Sequence, residues 1–265
     1  MRRLMPYILL SIALLVGSSC TCIPRRGYAV MYCSGTGLTT NESRHIYRVE
    51  QYATAPQTID LGASGEKLTD IAIDPCSSRT YAITVDRLFS VDVVTGKLNL
   101  LGQLPGLAGL NSLEATCGGP LYAWGISDTR IFEVNPMTLA TQPVADTHQL
   151  GGDLALSPDG RELFGAVLHD NVLVRVDLSS KVTSTTSLKI SDASVKIDGL
   201  NFGPDGTDIV MPGIDFGPDG KLYGTLGNDL SDPAAVCRID TKTGLVTVIG
   251  PISNGLGNGG MTINW

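Results

Sequence analysis

Four carboxylates carry whatever chemistry the spacing of this chain encodes. Asp70 and Asp153 each stand eleven residues before an aromatic residue, Tyr81 and Phe164. Glu114 and Asp215 each stand eight residues before Tyr122 and Tyr223. Asn201 repeats the place of Asp215 in a near-duplicate stretch, LNFGPDG (200–206) against IDFGPDG (214–220). Carboxylates and amides that recur in this way and meet at one mouth would bind a hard cation through oxygen ligands, calcium being the cofactor such a site implies. The competing reading is structural. The same groups would accept hydrogen bonds from backbone amides of a neighbouring repeat, or face water.

The other candidate motifs point away from catalysis. GLGNGG (255–260) has the form of a dinucleotide loop, but a short strand-like terminus follows it where the βαβ unit needs a helix. His45, His148 and His169 neither repeat nor show ligand spacing. No G-x-S-x-G elbow occurs. One acidic or amide residue is regular: Glu50, Asp92, Asn135, Asp177 and Asp240 close five copies of one phrase, HIYRVE, RLFSVD, RIFEVN, VLVRVD and AVCRID. A residue of this type at the start of a turn accepts hydrogen bonds from the backbone two residues on.

Those five phrases expose the elements that must hold the carboxylates. The steps between the closing residues are 42, 43, 42 and 63. A period near forty built of short strands is the mark of a β-propeller, one four-stranded blade per repeat. The expected fold is therefore an all-β, five-bladed propeller spanning 30–265. Four blades run over about 68–102, 112–146, 153–187 and 213–250. The first, about 30–62, lacks its innermost strand. GGMTINW (259–265) supplies a lone strand at the other end of the chain, so the closing blade is expected to combine both chain ends and leave no sheet edge at the seam. The long step is read as an insertion over about 191–212, a hairpin or an alternative inner strand.

The composition fits an exported globular chain. The formal charge is −7, which argues against a nucleic-acid partner. Arg2 and Arg3 precede a short apolar run, then small residues and Cys20. Residues 1–19 read as a signal peptide, Cys20 as a site of lipidation, and 20–29 as a tether. The membrane is reached only through that anchor, and the protein is expected in the periplasm or at the cell surface. Cys76 and Cys117 occupy matching turns of neighbouring repeats and form the candidate disulfide.

LALSPDGRELFGAV and IDFGPDGKLYGT, with the phrases that follow them, resemble the repeats of bacterial extracytoplasmic propellers of the YVTN type and, more distantly, the gluconolactonase-like family. The resemblance covers roughly 30–265 and speaks for the blade rather than an activity. Within the gluconolactonase-like family a channel metal polarises an ester and activates water. That implies, as the alternative function, a metal-dependent hydrolase or lyase using Asp70, Glu114, Asp153 and Asp215. The preferred function is a non-catalytic, monomeric binding or scaffold module for an envelope or extracellular protein or carbohydrate. Its binding surface is expected at an exposed aromatic or apolar patch, with Trp124, Tyr52 and the 189–212 stretch as the places to look.

Overall fold

The computed structural model describes residues 30–36, 44–167, 170–191, 210–227, 235–252 and 260–264. Residues 1–19 and 20–29, read above as a signal peptide and a tether, lie outside them, as do Asn201, His169 and nearly all of the 191–212 stretch read as an insertion.

Among the described residues twenty-one strands follow one another in chain order. The first group is β1 (Val30–Thr36), β2 (Arg44–Glu50) and β3 (Gln57–Ala63). The second is β4 (Asp70–Ile73), β5 (Thr80–Ile83), β6 (Arg87–Val91) and β7 (Leu98–Gln103). The third is β8 (Leu110–Ala115), β9 (Leu121–Gly125), β10 (Arg130–Val134) and β11 (Thr141–Asp146). The fourth is β12 (Asp153–Leu156), β13 (Glu162–Val167), β14 (Val172–Asp177) and β15 (Thr183–Ser187). Last come β16 (Lys189–Ile190), β17 (Val210–Phe216), β18 (Leu222–Gly227), β19 (Ala235–Ile239), β20 (Leu245–Pro251) and β21 (Met261–Asn264).

Hydrogen bonding sorts them into five sheets. Four sheets have four strands, and the sheet of β17 to β20 has five. The extra strand corrects the expectation of a uniform four-stranded repeat. β16 leaves β15 and runs parallel to β20 at its outer edge, with Lys189 opposite Leu245. The inner strand β17 starts at Val210, inside the range assigned to the insertion. Asp70 and Asp153, expected just before their strands, are the first residues of β4 and β12.

The chain ends meet. β21 pairs antiparallel with β1, placing Met261 opposite Cys33 and Thr262 opposite Tyr32. Without β21 the first sheet would present β1 as a bare inner edge.

Burial falls from the hub outward. All residues of β4 and β17 are buried, whereas β7 and β15 contain none that are. Apolar clusters fill the gaps between consecutive sheets. One joins Tyr81 and Ile83 to Leu113 and Phe132; another joins Tyr52 and Tyr223 to Met261 and Ile263. Stacked sheets of this kind are held by contact with both neighbours.

The turns follow the sequence chemistry. Asp92, Asn135, Asp177 and Asp240 each accept the backbone N–H two residues on at 2.9 Å. Glu50, a carbon longer, departs from this pattern and pairs with Arg48 at 3.0 Å. In SPDG the amide of Gly160 closes on the Ser157 carbonyl at 2.8 Å, with φ of 70° at Gly160, the left-handed region glycine enters at little cost.

Cys76 and Cys117 are joined as a disulfide between the β4–β5 and β8–β9 turns, 41 residues apart in sequence. Beside it the Gly118 amide donates to Asp74 Oδ1 at 3.1 Å. A crosslink over such a loop stabilises by about 3 kcal/mol, chiefly by restricting the unfolded chain. The Cys76→Ser/Cys117→Ser variant is therefore expected to melt well below the wild type by calorimetry. Equal melting temperatures would show that the link contributes nothing.

Candidate functional site

The hub is where the four sequence-selected carboxylates go. Asp70 and Asp153 are fully buried, and Glu114 and Asp215 are 8% and 7% exposed. They occupy the innermost strands of four successive sheets, and Thr262 of β21 takes the fifth place. They stand at two heights. Glu114 lies opposite Tyr122 and Asp215 opposite Tyr223, whereas Asp70 faces Ile83 and Asp153 faces Ala166, two residues further along. This explains the two spacings, eleven and eight, in the sequence.

Three of the four do the same work. Asp70 accepts the backbone N–H of Ile71 at 2.6 Å and, through Oδ2, that of Leu113 on the next sheet at 2.5 Å. Asp153 accepts, at 2.6 Å, from Ile214 on the next sheet. Asp215 accepts from Phe216 at 2.6 Å and from Ile263 of β21 at 2.5 Å. Thr262 Oγ1 donates to Asp215 Oδ2 at 3.1 Å and accepts the Ile73 N–H of β4 at 3.1 Å. Asp70, Asp153, Asp215 and Thr262 thus each hold the following strand by a main-chain amide.

The electrostatics are one-sided. Among the described residues no lysine or arginine pairs with these carboxylates. Burial pushes Asp70 well above the usual carboxyl range, and its contact with the Asp153 carboxyl adds to this. Burial, then the charges of Asp215 and Asp153, push Glu114 up likewise. Burial raises Asp153 and Asp215 to about 7 against the pull of their backbone donors. Asp153 Oδ1 is buried with no donor of its own. A proton retained by the neighbouring Asp70 carboxyl would satisfy it, as when two buried carboxyls share a site.

The hub therefore brings the four candidates together without making a metal centre of them. Asp70, Asp153 and Asp215 each accept a main-chain amide of the next sheet, and among the described residues no group of three or more His, Cys, Asp or Glu is placed to hold an ion.

Two other sequence-selected residues are corrected. Trp124 is fully buried and Tyr52 is 4% exposed. The Trp124 indole donates to the Asp128 carbonyl at 3.1 Å, and Gly165 makes room for its ring, since a Cβ there would lie 2.6 Å from it. Tyr52 packs edge-on against Tyr223 with centroids 5.0 Å apart.

Exposed apolar residues lie elsewhere. Val94, Met137 and Val182 are exposed singly in the β6–β7, β10–β11 and β14–β15 turns, while Val85, Ile126 and Leu150 are about half exposed. The latter three sit in the β5–β6 turn, the β9–β10 turn and the β11–β12 loop, all at one end of the hub axis. Main-chain bonds knit these segments in series: Leu110 N to Val85 O at 3.0 Å, Ile126 N to Gly109 O at 2.9 Å, Gly151 N to Gly125 O at 2.9 Å. No sequence pattern announced them, because each lies in a loop of different length.

Among solved structures, a chain in the crystal structure of a nidogen/laminin complex is similar to this one over 90% of this chain and 99% of its own, with 12% identity and a TM-score of 0.54. A chain of the Kuenenia stuttgartiensis hydrazine synthase shares 17% identity over 69% of this chain and 49% of its own, with a TM-score of 0.46. No protein-family model matches the chain, and no curated protein does. At these identities the likeness speaks to fold alone. With the radial sheets, the shared seam and the hub, it defines the class: this chain is a β-propeller repeat protein.

Proposed function

We propose that the protein is a non-catalytic binding module, a five-bladed propeller that presents one end of its disc to a protein partner outside the cytoplasm. The observation that carries this reading is the apolar arc of Val85, Ile126 and Leu150, held on loops that are bonded to one another and so pre-set for contact. Rigid scaffolds place binding residues on loops, and pre-ordered loops lose little freedom on association. The hub speaks against the hydrolase reading, since Asp70, Asp153 and Asp215 are engaged in holding strands. The nidogen chain, from a complex with laminin, offers a precedent for a propeller beside a protein partner. The Cys76–Cys117 disulfide fits an oxidising compartment, in keeping with residues 1–19 as an export signal and Cys20 as a lipid anchor.

The test is crosslinking in the native envelope fraction, comparing wild type with the Val85→Glu/Ile126→Glu/Leu150→Glu variant. A discrete crosslinked species is expected from the wild type and a loss of about tenfold or more from the variant, each buried apolar contact being worth about 1–2 kcal/mol. Equal yields from both would remove this face from consideration.

A further inference from the structure

The end of the wheel opposite the apolar arc carries a second feature. On the fourth sheet Arg175 lies opposite Phe164, and its guanidinium bonds Glu162, Nε to Oε1 at 2.9 Å. The fifth sheet repeats this register. Arg238 lies opposite Tyr223, in the place of Arg175, and Lys221 stands where Glu162 stands. The diagonal ion pair of one blade is replaced by two like charges in the next, where the register sets Lys221 opposite Asp240 and leaves Arg238 without the carboxylate that Arg175 has.

Lys242 joins them. Lys221, Arg238 and Lys242, with Asp240, line one groove of about 520 Å³ to which Thr241 and Thr247 also contribute. The Asp240 carboxylate is occupied by the N–H groups of Lys242 and Thr243, both at 2.9 Å. Lys221 reaches Asp219 at 2.9 Å. Arg238 and Lys242 make no ion pair among the described residues. Three cations in one concavity, on a chain of charge −7, are not required by the fold, since the fourth sheet builds the same strands with a neutral pair.

We infer that this groove binds a small ligand bearing an oxyanion, a carboxylate, sulfate or phosphate. The Arg238 guanidinium offers the planar fork that such groups match. Lys221 and Lys242 add charge on either side, and Thr241 and Thr247 are hydroxyl donors at the rim. The volume lies in the range of small-molecule sites. The groove is separate from the partner-binding face, so its failure would leave that reading untouched.

The experiment is titration of the folded, isotope-labelled protein with inorganic phosphate, inorganic sulfate and glucuronate at constant ionic strength, followed by amide shifts. Saturable shifts confined to the segments around Lys221 and Arg238–Thr247 are expected. Arg238→Ala should raise the Kd about tenfold or more, as loss of a charged hydrogen-bond donor does. Lys242→Ala should raise it about threefold, while Arg175→Ala leaves it unchanged. A preference for glucuronate would identify a carboxylated ligand, and one for phosphate or sulfate the corresponding ester; either supports the site. Shifts that are absent, that do not saturate, or that persist in Arg238→Ala overturn it. Arg238 is exposed, so an unchanged melting curve is the control for folding.

Discussion

The protein is expected to melt at a higher temperature near pH 5 than near pH 8. Most folded proteins lean the other way, and the hub is the reason for the difference. Asp153 and Asp215 are raised to about 7 in the folded state by burial, whereas an unfolded aspartate titrates near pH 4. The folded state keeps protons that the unfolded state has released. The stabilisation is fully present below about pH 4 and is lost as the pH rises through about 7. One such carboxyl corresponds to on the order of 4 kcal/mol across that window, and the coupled set does not simply add. In a chain of this length that is a shift of about 10 °C. The turn aspartates act oppositely. Backbone donors hold Asp92 and Asp240 below the ordinary value, and the Ser179 hydroxyl with backbone donors does the same for Asp177, so their contribution disappears as the pH falls under about 4. Between the two effects the maximum falls at mildly acidic pH. Asp153→Asn keeps an oxygen for the Ile214 amide and removes a titrating group, so its melting temperature should vary less from pH 5 to pH 8. A wild-type profile that rises steadily toward neutrality would contradict the assignment of protons to the hub.

Deleting residues 259–265 is expected to abolish cooperative unfolding. The deletion removes Met261 and Ile263 from the cluster that joins the last sheet to the first. Two buried apolar side chains of this size are worth about 4 kcal/mol together. It also strips Asp215 of the Ile263 amide and the Thr262 hydroxyl, and leaves the Ile73 N–H without its acceptor. Each buried group left unpaired costs about 1–3 kcal/mol more. The total rivals the about 5–15 kcal/mol that holds an ordinary domain together. β1 would also become an open inner edge, a template for association. The shortened protein should lose its sharp thermal transition and aggregate. Cooperative melting at the wild-type temperature would mean that the ring does not depend on its seam.

The repeat was legible because one strand in each blade carries the same alternation and, in four of the five, ends in a side chain that caps its own turn. That is local chemistry, read within a few residues. The seam was legible for a related reason, since a lone strand at one end matched a missing strand at the other. Cys76 and Cys117 could be paired because they fall in equivalent turns. The carboxylates could be located but not interpreted. Their partners are amides 43 to 61 residues away, on another sheet, and no spacing rule in a single sequence reports a side chain that bonds the main chain of its neighbour. Trp124 was misjudged for a packing reason: Gly165 opens a space in the facing sheet that the chain around Trp124 does not reveal. β16 is two residues long, too short to leave a periodic signal.

With protons rather than an ion at the hub, Asp70, Asp153 and Asp215 would hold neighbouring strands together. Infrared spectroscopy of the protein at neutral pH, compared with Asp153→Asn and with a sample treated with a chelator, decides between the two. A protonated-carboxyl band is expected in the wild type, weaker in Asp153→Asn and indifferent to the chelator. A spectrum of fully ionised carboxylates, changing when a stoichiometric divalent ion is stripped away, would contradict it.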